Sequence, residues 1–123
     1  MATVSDYVIV TDNRTRLPGT DGDKDQTFAF SIPSNINRDE RAVATWVLEV
    51  EASPQNLAWN LTINDKQLVA FTHSNDRFAA LQEVFDGEIL QPGTFNNIAK
   101  LTITGGTGQI RFSDFVVHFR VDV

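Results

Sequence analysis

The chain has 123 residues, a hydrophobic content of 41% with nine Phe and two Trp, and a formal net charge of −6. That much apolar and aromatic material argues for a packed core and against disorder. Ten Lys and Arg scattered through an acidic chain exclude the basic face that nucleic acids or anionic membranes require. A cation, a neutral ligand or another protein suits this balance better. There are no cysteines, so disulfides, thiolate metal sites and cysteine nucleophiles are excluded. The start of the chain has no basic region followed by an apolar run, and no stretch approaches the length of a membrane span. A cytoplasmic setting is the expectation. Asn13-Arg14-Thr15 and Asn60-Leu61-Thr62 match the glycosylation triplet and are read as chance.

Tyr7-Val8-Ile9-Val10-Thr11 is a β-rich run. Residues 12–26 read as one long polar loop, of the kind that is functional or mobile. A strand is predicted over residues 26–32, with Phe28, Phe30 and Ile32 facing inward. Residues 37–41 are charged and suggest a helical turn. Residues 42–51 alternate, with Ala42, Ala44, Trp46, Leu48 and Val50 on a dry face and Val43, Val47 and Glu49 on a half-wet one. Leu57, Trp59, Leu61 and Ile63 repeat the pattern. Asn64-Asp65 tolerates positive φ and predicts a hairpin into residues 67–72, with Leu68 and Ala70 inward.

Residues 75–85 fit two readings. Phe78, Leu81 and Val84 or Phe85 have helical spacing with Asp76 as a cap, yet the surroundings are β. Gln91-Pro92-Gly93 is a turn, and residues 98–104 are a strand with Ala99, Leu101 and Ile103 inward. Gly105-Gly106-Thr107-Gly108 precedes a strand and not a helix, so it reads as a hairpin turn and not a phosphate cradle. In the terminal strand Ile110 and Phe112 have one parity, while Phe115, Val117, Phe119 and Val121 have the other. One buried face therefore needs an extra residue, which a β-bulge at Ser113-Asp114 supplies. About eight short strands predict an all-β antiparallel sandwich of jelly-roll type, forming a single domain over residues 1–123.

Asp21, Asp23 and Asp25 alternate in an acidic loop that wraps a hard cation if the carboxylates converge, with Asp12 as a further ligand. Calcium is the ion this set suits. An EF-hand is excluded, because Gln26 and Ile32 stand where it needs its glycine and closing glutamate. The other reading is a solvated acidic turn. His73 and His118 are not spaced for zinc. Ser113, Asp114 and His118 draw no triad, since sequence proximity supplies no catalytic geometry. Trp46 and Trp59 share parity with Leu neighbours and read as core, where an exposed aromatic would suit stacking on a sugar ring.

Leu90-Gln91-Pro92-Gly93 leading to Asn96-Asn97-Ile98, and Ser113-Asp114-Phe115-Val116 in the last strand, resemble the closing half of galactose-binding-like jelly rolls. The likeness spans roughly residues 57–121. It implies a domain that binds sugars, metal ions or protein partners through loops at one end. The first expectation is a non-catalytic binding module for carbohydrate or protein, using loops at residues 12–26 and 74–86. The alternative is an assembly subunit forming a homo-oligomer, prompted by outward Val43, Val47 and Val116. An enzyme is not expected, for want of a convergent acid, base and nucleophile set.

Overall fold

The computed structural model describes residues 2–19, 21–52, 56–93 and 96–123. Nine strands and one 3-10 turn make up its regular structure: β1 (Thr3–Thr11), β2 (Thr15–Leu17), β3 (Asp25–Phe30), β4 (Arg41–Glu51), β5 (Leu57–Ile63), β6 (Lys66–His73), β7 (Arg77–Asp86), the 3-10 turn Gly87–Ile89, β8 (Asn97–Gly106) and β9 (Gln109–Asp122). One sheet runs β1-β9-β4-β7, with β2 also on β9; the other runs β3-β8-β5-β6. Every strand pairing is antiparallel. The jelly-roll sandwich expected from the strand pattern is the architecture found.

The core lies between the sheets because β4, β5 and β8 alternate, and β9 alternates on either side of one irregularity. Trp46, Leu48, Leu57, Trp59, Leu61, Leu101, Phe112, Phe115 and Val117 are all buried. Trp46 of one sheet meets Trp59 of the other edge-on, with ring centroids 6.3 Å apart at 89°. Phe112 stacks on Trp46 and on Phe28. Aromatic contacts of this kind add about 0.5–1.5 kcal/mol each beyond area burial.

The bulge in β9 is present. Asp114 has φ 53°, and the pairing with β4 steps from Thr45–Val116 to Val47–Ser113, so two residues of β9 face one of β4. Ile110, Phe112, Phe115, Val117, Phe119 and Val121 thereby share the buried side.

Three expectations are corrected, and the open reading of residues 75–85 is decided. Residues 12–26 are not one loop: β2 forms within them and pairs with β9 before the bulge, where Leu17 meets Ile110 and is buried. Residues 37–41 form a hydrogen-bonded turn, with the Glu40 amide donating to the Asn37 carbonyl, and no helix. Residues 77–86 are strand β7, paired with β4 along ten positions from Arg41–Asp86 to Val50–Arg77. The helical spacing there fails because partner pairing outweighs local propensity: Phe85 turns inward while Phe78 and Val84 are exposed. Ala70 is exposed because β6 carries its own bulge at Leu68, which moves Val69 opposite Leu61 and places His73 on the buried side.

Asn64 and Asp65 have φ of 50° and 66° and close the β5–β6 hairpin. Asn64 also reaches outward. Its Nδ2 donates to Ile89 O and to Asn97 Oδ1, and its Oδ1 accepts from the Ile98 amide at 2.9 Å. Asn97, fully buried, accepts from the Gln91 amide at 2.7 Å and donates to Gln91 O at 2.9 Å. The Pro-Gly-to-Asn cadence seen in the sequence is thus a buried amide clamp on the loop before β8.

Candidate functional site

At the end of the sandwich opposite the Asn64-Asp65 hairpin, four chain segments converge. The β2 segment contributes Arg16, with Pro18 and Gly19 after it. The end of β4 contributes Glu51, the β6–β7 turn Asp76, and the β8–β9 hairpin Thr107, Gly108 and Gln109. Together they line an open cleft of about 530 Å³. Both loop regions singled out in the sequence, 12–26 and 74–86, send residues to it.

The hairpin wall depends on glycine. Gly106 has φ 80°, and a Cβ there would stand 1.4 Å from the Asn56 carbonyl oxygen; at Gly108, φ 143°, the same atom would lie 2.1 Å from Glu51 O. Only a residue without Cβ lets the hairpin lie this close to the ends of β4 and β5. Gly105 is not in the positive-φ region.

Polar groups around the cleft are held in place. Glu51 accepts from Gln109 Nε2 and from Arg111 Nη1, the latter at 3.0 Å. These hydrogen bonds, Gln109 first and then Arg111, hold its carboxyl below the usual carboxylate range, with the nearby charges of Arg111 and Arg16 adding to the effect. Glu49 pairs with Arg14 and Arg111. Asp76 Oδ1 accepts the Ala52 amide at 3.1 Å, tying the β6–β7 turn to the end of β4. Gln109 Oε1 is buried without a partner beneath the cleft.

An adjoining groove runs along Glu49, Val50, Glu51, Asp76, Arg77 and Phe78. Phe78 is 75% exposed, the most exposed large hydrophobic side chain among the described residues. It stands opposite Glu49, which in turn stands opposite Arg111. The result is an aromatic face next to a row of fixed charged side chains, on paired strands.

Asp21 and Asp23 share a tight turn, in which the Asp23 amide donates to Asp21 Oδ1 at 3.3 Å. That bond, with the contact between the two side chains, lowers the Asp21 pKa; sharing with Asp21 and the charges of Asp21 and Asp25 raise that of Asp23. Asp25 begins β3 and lies 3.7 Å from Lys100 across on β8, and Asp12 follows the end of β1. Among the described residues no group of three or more His, Asp or Glu side chains stands together to hold a metal ion.

Both histidines have structural partners. His73 is buried, stacks on Trp59 at 12°, and accepts the Trp59 indole N–H at Nε2 over 2.7 Å. Burial, and then the charge of Arg77, push its pKa down. His118 lies on the outer sheet face, 3.3 Å from Thr45 Oγ1 and beside the Tyr7 ring. Ser113 donates to Asp114 within the bulge, and His118 joins neither. Trp46 and Trp59 are core, as their parity implied.

Sequence reasoning did not single out Phe78, Arg16, Glu51 or Gln109. The signal for Phe78 was present: Phe78, Ala80, Gln82 and Val84 alternate with Ala79, Leu81, Glu83 and Phe85, which reads as a strand with Phe78 outward. Arg16 and Gln109 become site residues only when β2 pairs with β9, a pairing three residues long that leaves no periodicity to detect.

No family model matches the chain, and no curated protein does. Solved structures do match. Dimeric latent PorU from Porphyromonas gingivalis superposes with a TM-score of 0.72 at 7% identity, over 99% of this chain and 13% of that one. BuGH86, solved in complex with neoagarooctaose, superposes at 0.58 and 15% identity, over 96% of this chain and 19% of that one. The CBM36-1 domain of a multidomain xylanase from the hindgut metagenome of Trinervitermes trinervoides is matched over its whole length and 96% of this chain, at 12% identity and a TM-score of 0.49. The chain spans a fifth or less of the first two proteins. The fold is an antiparallel β-sandwich of jelly-roll type.

Proposed function

We propose that this protein is a non-catalytic carbohydrate-binding module whose glycan lies along the strip from the cleft to Phe78. The observation that carries the reading is Phe78 itself, three-quarters exposed beside the fixed side chains of Glu49, Glu51, Asp76 and Arg111. A sugar ring presents an apolar face and a rim of hydroxyls. It is matched by an aromatic platform with a few oriented polar groups. Leaving a large apolar ring in water has no structural return, whereas a glycan covering it does. The fold also makes up about a fifth of BuGH86, a chain solved with an oligosaccharide, which favours a sugar over a protein as the ligand. An assembly subunit forming a homo-oligomer draws no support from these likenesses.

The test is retention on immobilised polysaccharides, followed by calorimetry with the oligosaccharides of those retained. Phe78→Ala is expected to weaken binding by about tenfold or more, on the scale of losing an aromatic contact with a ring, with Tm unchanged. Failure to bind any glycan, or full affinity in Phe78→Ala, contradicts the proposal. Light scattering on the same samples measures the oligomeric state.

A further inference from the structure

Resting on the carbohydrate reading, we infer that the preferred glycan carries an anionic substituent, a carboxylate or a sulfate, and that Arg16 receives it. Four of the chain's seven arginines, Arg14, Arg16, Arg77 and Arg111, gather at this end of a molecule whose net charge is −6. Two of them are used internally, Arg14 by Glu49 and Arg111 by Glu49 and Glu51. The side chains of Arg16 and Arg77 make no hydrogen bond or ion pair among the described residues, and the charge of Arg16 acts on Glu51 without a direct contact. Arg16 lines the cleft.

Glu51 receives one donor on each carboxylate oxygen, Asp76 Oδ1 holds the Ala52 amide, and Gln109 Oε1, though without a partner, is buried. The donor capacity the cleft presents is concentrated in one guanidinium with five N–H groups in a fixed fork. A hydroxyl uses one lone pair against that fork. A carboxylate or sulfate places two oxygens on it at once, with charge assistance. The overall negative charge of the protein opposes non-specific capture of polyanions, so an anionic glycan gains only where a local cation is presented. A divalent metal is disfavoured at the same spot by the same guanidinium.

The experiment is calorimetry with three probes of similar length: an oligogalacturonate, a sulfated galactan oligosaccharide, and uncharged neoagarooctaose. The expected result is that one anionic probe binds at least about tenfold more tightly than the neutral one, the scale of one charge-assisted hydrogen-bond pair, and that this margin shrinks as salt rises. Which anionic probe wins identifies carboxylate or sulfate. Arg16→Gln should erase the margin with Tm unchanged, and Arg77→Gln should reduce it. Lys66→Gln, in the hairpin at the far end, should leave it intact. Neutral and anionic probes binding equally, with Phe78 still required, overturns this inference and leaves the carbohydrate reading standing. An anionic margin that survives Arg16→Gln, or is lost equally in Lys66→Gln, overturns it as non-specific. Binding of no probe and no polysaccharide overturns both.

Discussion

At His73 Nε2 the neutral imidazole is the only acceptor for the Trp59 indole N–H, at 2.7 Å in the core. Burial, and then the charge of Arg77, depress the folded-state pKa below the ordinary value of 6.5. Protonation also takes away that lone pair. Between the folded and unfolded values the unfolded chain binds more protons, so stability falls as pH falls through that window and is fully present above about 6.5. Thermal melts across this range should show Tm dropping on acidification, and His73→Gln should flatten that part of the curve; an unchanged slope would remove His73 as its source. The two tryptophans differ by the same logic. Trp59→Phe strands the His73 acceptor and should cost about 1–3 kcal/mol more than the lost ring area. Trp46 Nε1 is buried with no partner, so Trp46→Phe gives up no hydrogen bond. Chemical denaturation that finds Trp46→Phe the more damaging of the two would contradict this. Asn97→Ala leaves the Gln91 amide without its partner and removes one of the two acceptors of Asn64 Nδ2, and should cost a similar amount, measured the same way.

At the scale of elements, β9 is the strand on which the first sheet is organised, since β1, β2 and β4 all pair with it. Deleting Asp114 takes out the extra residue and leaves Ile110, Phe112, Phe115 and Val117 in plain alternation on one face, with Trp46 opposite Phe115 alone. The expected outcome is a cooperative melt with the core retained, and Asp114→Gly, which suits φ 53°, should fold and melt at or above the wild-type temperature. A deletion variant without a cooperative melt would mean that the bulge does more than reconcile the two parities. This bulge was legible in the sequence because two strongly apolar sets of opposite parity flank it. The bulge at Leu68 was not, because Leu68, Val69, Ala70 and Phe71 are apolar on both parities and leave the register open. Residues 77–86 defeated periodicity for a related reason. As an edge strand, β7 exposes Phe78 and Val84, so apolar side chains stand on both faces and imitate helical spacing. β2 was hidden by its brevity and by the Asp and Gly residues around it, and with it the cleft. Strand chemistry is written locally, but a site assembled from the ends of four segments depends on which strands pair.

For the whole molecule, charge and shape point one way. Most acidic side chains are dispersed, and the Asp21–Asp23 turn supplies two carboxylates where calcium takes six to eight oxygens. Titrating calcium into a thermal melt should leave Tm unchanged, and a concentration-dependent rise would restore that turn as a cation site. The proposed glycan strip, by contrast, joins the most exposed aromatic ring among the described residues to the cleft on paired strands, so it is formed before any ligand arrives. The most direct test is to map binding residue by residue, by titrating an oligosaccharide of the retained polysaccharide into isotopically labelled protein and following backbone amide resonances. The account predicts shifts concentrated at Glu51, Asp76, Arg77, Phe78, Gly108 and Gln109, with Asn64, Asp65, Tyr7 and His118 unmoved. Shifts confined to the outer sheet face around Tyr7, Ile9 and Val84, or to the Asn64-Asp65 end, would contradict it.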